Sequence, residues 1–405
     1  MNILVVSQYY APENFRINDI ATTLQNEGHS ITVLTGQPNY PGGEIFPGYG
    51  KVQKEILEGI PVYRCKLYPR KKGNRNLFLN YISFAFFGSR LAKSSTIQNL
   101  SFDRVLVFQY SPVTIIWPAV AYNKRAKRPI PLHVYCFDLW PESLVSGGIK
   151  KGSIVYRWMH KVSKHLYSQA DKIYITSKGF REYFQKEFQI EKNVYDLPIY
   201  AEDQFVAPGM TESREHGNND DGGDVFRLLF AGNIGEMQSV ETILLAANYL
   251  KEQGFSNVHF DIVGDGSRYA HCLQMKEDWN LSNVSFHGRH PLETMPEFYA
   301  KADGFLVTLK NDPQISYTLP GKVQTYMAFG KPILGAIGGE TKEVIENSLS
   351  GLIASPENWK QLAQNIITLS REKEKRLEYG ANARRYYEQY FSKEQFFDKL
   401  TELLT

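Results

Sequence analysis

Between Tyr317 and Gly335 the chain reads YTLPGKVQTYMAFGKPILG, a set of residue types and spacings suited to holding an anion. A polar loop with Ser316 and Thr318 runs into Pro320 and Gly321. A helical run follows from Lys322 to Phe329, Gly330 stops it, and Pro332 to Leu334 reads as a strand. Proline at a helix start and glycine just past its end are the expected boundary residues. Such a start offers free backbone N–H groups and the positive end of the helix dipole, and Lys322 adds a full charge. A phosphate fits there; an ordinary helix-to-strand connection with a solvated lysine is the plain alternative. Glycine also recurs directly after several apolar runs: Gly232 and Gly235 in GNIGEMQ, Gly264 and Gly266 in GDGS, Gly288 in GRH, and the glycines of GAIGGETKE. Each lets backbone approach a ligand closely, and successive N–H groups bind phosphate oxygens. Together with the Lys322 helix these turns read as a nucleotide-diphosphate site.

Other polar residues stand at the ends of apolar runs in the first half. FDLWPE follows a strand so apolar that its end must be buried. Asp138 and Glu142 are candidates there for ligand hydroxyls or proton transfer, with Trp140 as a stacking or packing face; the alternative is that Asp138 caps the next segment. In YYAPENFR, Glu13, Asn14 and Arg16 could meet a hydroxylated substrate or a diphosphate, or face water. That loop lacks GxGxxG, so a tightly bound dinucleotide is not supported. The stretch from Gln37 to Gly48, with Tyr40, Gly42 and Gly43, is long for a connection, which favours a binding role.

The elements that must position these residues alternate. Ile3–Val6, a helix over 16–27 and Ser30–Leu34 form a βαβ unit. The pattern continues through Val105–Phe108, Leu132–Cys136 and Lys172–Thr176. A second series runs through Arg227–Ala231, His259–Val263, Val284–His287, Gly304–Val307 and Pro332–Leu334. Alternation of this kind predicts an α/β protein with two doubly wound, Rossmann-like sheets, whose ligands bind beyond the carboxyl ends of the strands, here facing a central cleft. The expected domains are 1–205, a polar linker over 206–224 that includes MTESREHGNNDDGGD, 225–385, and a C-terminal helix over 386–405 packing back toward the first domain.

The 405 residues carry Lys+Arg 46 against Asp+Glu 43, a net charge of +3, which argues against a nucleic-acid polyanion as partner. Cys65, Cys136 and Cys272 are far apart, without CxxC or paired histidines, so neither a disulfide framework nor a zinc site is expected. MNILVVSQYYAPE lacks the basic start of a signal peptide, and no run reaches the roughly 20 apolar residues of a spanning helix, so the expected location is cytoplasmic. One segment nonetheless suits a membrane surface. Arg70, Lys71, Lys72 and Arg75 precede a helical run with Phe78, Phe84, Phe86 and Phe87, a pattern for peripheral contact with an anionic bilayer, or for a helix buried between domain halves.

The motifs QYYAPE, PNYPGGEIFPGY, FDLWPES, FAGNIGEMQSVETILLAA, VGDGS, VSFHGRHPLETMPEFYAKAD, LPGKVQTYMAFGKPILG and GGETKEVIENSLSGL, in this order, resemble the retaining GT-B glycosyltransferases of family GT4 along nearly the whole chain. Within them the chain resembles the bacterial capsule, O-antigen and colanic-acid enzymes of the N-acetyl-fucosaminyl-transferase-like group. The resemblance implies a metal-free enzyme without a cofactor. Its donor, a UDP-sugar, would lie on the second domain, the base at the backbone of Arg289 and the diphosphate at the Gly232 loop and Lys322. Donor contacts would come from Gly232, Asn233, Gly235, Gln238, Gly264, Gly266, Arg289, Ser316, Thr318, Pro320, Gly321, Lys322 and Thr325; acceptor contacts from Glu13, Asn14, Arg16, Tyr40, Gly42, Gly43, Trp140 and Glu142; and Asp138, Glu236 and Lys322 are the candidate catalytic residues.

Two departures stand out. Many relatives carry two glutamates where this chain has Tyr317 and Thr325, and an Arg and a Lys where it has Asn233 and Gln238. Lys322 and Arg289 could supply the charge, and Glu236 or the Asp312–Thr318 loop the sugar contacts. The expected reaction moves an N-acetylated, 6-deoxy type of hexosamine from UDP to an undecaprenyl-diphosphate-linked sugar. A non-catalytic partner that binds nucleotide or scaffolds polysaccharide-assembly proteins, and a sugar-nucleotide epimerase, are the alternatives.

Overall fold

The computed structural model describes residues 1–206 and 225–405, so the linker read over 206–224 lies, apart from Val206, outside the described residues. The chain forms two compact units, one of residues 1–176 and 180–196, the other of 177–179 and 197–405.

The first unit is built on strands β1 (Asn2–Val6), β2 (Ser30–Thr35), β3 (Lys54–Leu57), β4 (Ile60–Arg64), β5 (Arg104–Gln109), β6 (Leu132–Cys136), β7 (Lys172–Ile175) and β8 (Val194–Asp196). They form one sheet in the order β3-β4-β2-β1-β5-β6-β7-β8. Every neighbouring pair is parallel except β3 and β4, which form a hairpin through Glu58 and Gly59, both at positive φ. Ile3 to Val6 are wholly buried, as a central strand covered by helices on both faces demands.

The second unit holds β9 (Phe226–Ala231), β10 (Val258–Val263), β11 (Val284–Gly288), β12 (Gly304–Thr308), β13 (Ile333–Ala336) and β14 (Gly351–Ala354) in the all-parallel order β11-β10-β9-β12-β13-β14. Alternate residues of β9 feed two cores. Phe226, Leu228 and Phe230 pack on one side of the sheet, Leu229 and Ala231 on the other. The two Rossmann-like sheets make the GT-B fold.

The helix of the LPGK stretch runs over Gly321–Phe329, entered from Pro320 and closed by Gly330 at φ 73°. The aromatic tail is two helices, Lys373–Tyr390 and Lys393–Leu404. The second starts where the Ser392 side chain accepts from the Gln395 N–H, and its Phe396 packs on Tyr200 within the same unit.

The segment read as a membrane face is a helix over Asn74–Ala92. Its periodicity corrects the expectation in part. Phe78 and Phe86 are 55% and 62% exposed and Phe87 is also exposed, but Phe84 faces the opposite way and is wholly buried. Arg70 is also removed from the exposed basic cluster, because it turns inward. Lys71, Lys72 and Arg75 remain exposed.

Candidate functional site

At the carboxyl end of β9 the backbone turns sharply at Gly232, φ 137°. The Ala231 N–H just before it donates to the Tyr326 hydroxyl at 3.0 Å, and Tyr326 stacks on Phe305 with ring centroids 4.4 Å apart, so the 321–329 helix is tied to the end of β9. The first turn of that helix has backbone N–H groups without intrahelical acceptors, and no side chain caps it.

Lys322 folds back from this turn. Its Nζ lies 3.8 Å from the centroid of the Phe230 ring and beside Gly232, where a Cβ would stand 2.9 Å from it. The stem is partly exposed, yet Nζ is fully buried and has no hydrogen-bond partner. Burial pushes the amine down to about 7. A buried cation without a counter-charge is costly, and a bound anion would relieve that cost.

The neighbouring turns close around this point. Gly264, after β10, packs so tightly that a Cβ would overlap the Gly232 carbonyl oxygen, and its N–H donates to Gly288 O at 2.8 Å, at the end of β11. Gly266 lies against Ile234 and Asn233. Arg289, next in the chain after β11, is exposed. The structure thus brings together Gly232, Gly264, Gly266, Gly321 and Lys322 on one end of one sheet.

Asn233 and Gln238, standing where cations were expected, bond to each other, Nδ2 to Oε1 at 3.1 Å. Charge arrives by a different route. Lys310, two residues beyond β12, places Nζ 2.7 Å from Glu236 Oε1, and Arg268 Nε is 3.4 Å from Glu236 Oε2. The Lys310 hydrogen bond and charge hold the Glu236 carboxyl below its ordinary range, so it is better suited to accept hydrogen bonds than to donate a proton. The Lys310 N–H donates to Met237 O and the Thr308 hydroxyl to Gln238 O, stitching the 235–238 loop to β12. Lys310 and Arg268 were missed in the sequence; the position of Lys310 just after a strand was the available signal for it.

The Ser316 and Thr318 hydroxyls of the Asp312–Thr318 loop are spent on its own backbone. Ser316 donates to Asp312 O and Thr318 to Ile315 O, while Thr325 donates to Gly321 O at 3.3 Å within the helix. Thr325 is buried.

In the first unit the side chains of several expected acceptor residues turn inward. Glu13 is 2% exposed; its carboxylate accepts from the Asn39 and Tyr40 N–H groups at 2.9 and 2.7 Å, which pins the loop after β2. Burial still pushes its carboxyl up to about 7. Glu142 is equally buried, receiving the Tyr156 hydroxyl at 2.7 Å and Lys151 Nζ at 3.1 Å. Trp140 is buried too, its Nε1–H donating to Ser111 Oγ at 3.0 Å, so it is a packing face rather than an open stacking platform.

Asp138 accepts from the Ser143 hydroxyl at 2.6 Å, and burial raises its carboxyl above the ordinary range while bonds from Ser143, Ser111 and Trp140 pull it down. Asn14, Tyr40 and Gly42 are exposed, Arg16 is half-buried, and Gly43 is buried against the backbone of Arg70 and Lys71.

Residues 211–386 match the family described as "Glycosyl transferases group 1", and residues 14–196 match the "Glycosyl transferase 4-like domain". A Pseudomonas aeruginosa protein named as a glycosyltransferase, WbjE, is 24% identical over 90% of this chain and 88% of its own. An Escherichia coli protein named for colanic acid biosynthesis, WcaI, is 24% identical over 82% of each chain. Among solved structures, Anabaena Alr3699/HepE in complex with UDP and glucose superposes with a TM-score of 0.70 at 16% identity, covering 99% of this chain and 98% of that one.

Proposed function

The chain belongs to the group 1, GT4-type retaining glycosyltransferases with the GT-B fold, and from that premise we propose that it takes its sugar from a UDP-sugar and transfers it to a polyprenyl-diphosphate-linked sugar in capsule or O-antigen type polysaccharide synthesis. The observation that carries the donor half is the buried, unpartnered Lys322 amine beside Gly232. As the sugar leaves, negative charge grows on the diphosphate. Lys322 and the N–H groups of the 321–329 helix start are aligned to stabilise it without a metal ion. Same-face attack needs no protein nucleophile, so the lack of a glycosidase-like carboxylate pair is no obstacle. Glu236 accepts hydrogen bonds from the donor sugar, and Asp138 is the acceptor unit's candidate for the proton of the attacking hydroxyl.

The colanic-acid name of WcaI and the UDP bound to HepE support the polysaccharide setting and the uridine base. The sequence motifs support an N-acetylated, 6-deoxy type of hexosamine. UDP is expected to raise the melting temperature, and one member of a panel of UDP-sugars is expected to yield product on a short polyprenyl-diphosphate-sugar with retained anomeric configuration. Tight UDP binding with no transfer from any of the panel would favour the non-catalytic reading.

Such an acceptor lies in a bilayer, and among the described residues no helix is long and apolar enough to cross one. Peripheral contact through Phe78, Phe86 and Phe87, led by Lys71, Lys72 and Arg75, answers the need. Beside them a groove of about 610 Å³ is lined by Ile82, Phe86, Trp117 and Trp158 among others. Neutralising the three cations to Gln is expected to weaken binding to anionic liposomes roughly a hundredfold, at about 1 kcal/mol per charge. Unchanged flotation of that variant would remove the segment from the membrane.

A further inference from the structure

Arg70, between β4 and the 74–92 helix, is fixed by a set of buried amides. Its N–H donates to Asn39 Oδ1 at 2.9 Å; Asn80 Nδ2 reaches the same oxygen at 3.2 Å, and Gln8 Nε2 donates to Asn80 Oδ1 at 2.6 Å. Asn39, Asn80 and Gln8 are wholly buried and come from three separate segments, so the placement of Arg70 is over-determined.

What that placement achieves is visible by contrast with Arg64. There the guanidinium is wholly buried and each of its nitrogens is occupied, on Glu55, Gly36 O and Ala11 O. Arg70 has one guanidinium hydrogen bond, to the Tyr9 hydroxyl at 3.3 Å, and lies 5.3 Å from the Tyr40 ring centroid. The side chains it touches are thus two neutral phenols, and among the described residues no carboxylate forms an ion pair with it. Four of its five N–H donors are therefore without a protein acceptor among the described residues.

Its surroundings are those of a ligand site. Tyr9 follows β1 and Tyr40 follows β2, so the cluster stands beyond the carboxyl ends of these strands. A planar fork with open donors over aromatic faces matches a two-oxygen anion.

We infer that Arg70, with Tyr9 and Tyr40, forms an anion subsite in the first unit that binds a phosphate or carboxylate oxygen pair on the acceptor. The inference rests on the glycosyl-transfer reading for the word acceptor, but not for the subsite. Two sources carry the shared chemistry: the diphosphate of a lipid-linked acceptor, and the carboxylate of an acidic sugar.

The test is calorimetry on the intact chain presaturated with UDP, with farnesyl diphosphate in one arm and glucuronate in the other, for the natural chain, Arg70→Met and Arg70→Lys. At least one anion is expected to bind the natural chain, to bind Arg70→Met roughly tenfold to a hundredfold more weakly, and to bind Arg70→Lys with intermediate affinity, because lysine keeps the charge and loses the fork. A loss confined to farnesyl diphosphate assigns the diphosphate, and one confined to glucuronate the carboxylate. Failure of both anions to bind the natural chain, or equal binding by Arg70→Met, overturns the subsite. Should Arg70→Met not fold, full affinity in Arg70→Lys overturns the fork geometry. UDP affinity, expected to be the same in all three, reports the donor reading separately. If UDP does not bind, that reading fails while the comparison among the three chains still stands.

Discussion

Lys322→Met is expected to lower the transfer rate by about a hundredfold to a thousandfold, the usual effect of deleting one preorganised donor to a developing charge, while leaving the unliganded protein at least as stable as before. The two halves of this result have one cause. In the absence of ligand Nζ is buried against the Phe230 ring with no partner, so the amine stabilises nothing that methionine, of similar length and apolar, would fail to provide.

The pH dependence follows from the same burial. The amine titrates near 7 in the folded chain, against about 10.4 for an unperturbed lysine. Between those values the unfolded chain holds a proton that the folded chain lacks, so this group makes stability rise with pH through that window. Below about 7 both states are charged and the full cost of burying the cation is present. Methionine removes this slope. Binding of a diphosphate restores the proton, so at pH 8 UDP binding by the natural chain should take up close to one proton, seen as a binding enthalpy that varies with the ionisation enthalpy of the buffer. The Met variant should take up none. A transfer rate within threefold of the natural chain, or a buffer-independent enthalpy in the natural chain, would remove Lys322 from the diphosphate.

The helix start that carries Lys322 was readable because its boundary residues and its cation are local signals. The burial of Nζ was not, since it depends on Phe230 and Gly232, some ninety residues earlier in the chain. The same limit explains Glu13 and Glu142. In sequence both are acidic loop residues; their partners, Asn39 and Tyr156, are reached only once the sheet has formed. Arg70 reads as the head of a basic run because its neighbours are lysines, whereas its guanidinium turns inward to the Tyr9 hydroxyl, a partner far away in the chain.

For the fold, the buried strands announced themselves as apolar runs, whereas β3, β4, β8 and β14 did not. KEIL of β3 is a partly exposed edge, β4 contains Pro61, β8 has three residues, and β14 opens on glycine. Pro61 is compatible with β4 because pairing with β2 begins at Val62, so its missing N–H breaks no bond on that side.

The glycine turns raise a sharper question, whether they are merely tolerated or required by close backbone approach. Gly264→Ala answers it. At φ 144° alanine is strained, and its Cβ would also overlap the Gly232 carbonyl oxygen, which cannot move without shifting the turn that faces Lys322. A destabilisation of about 3–5 kcal/mol is expected, lowering the melting temperature by roughly 10 °C, with loss of UDP binding. Gly254→Ala is the control. Its φ is 77°, but nothing stands within 4 Å of the added Cβ, so only the backbone cost of about 1–2 kcal/mol applies and UDP affinity should hold. The difference between the two variants measures the approach of the β9 and β10 turns, apart from the conformational preference of glycine. If Gly264→Ala behaved like Gly254→Ala in both stability and UDP affinity, those turns would have room to spare. The tight packing that sets Gly232 beside the lysine would then not be what prepares the site for a diphosphate.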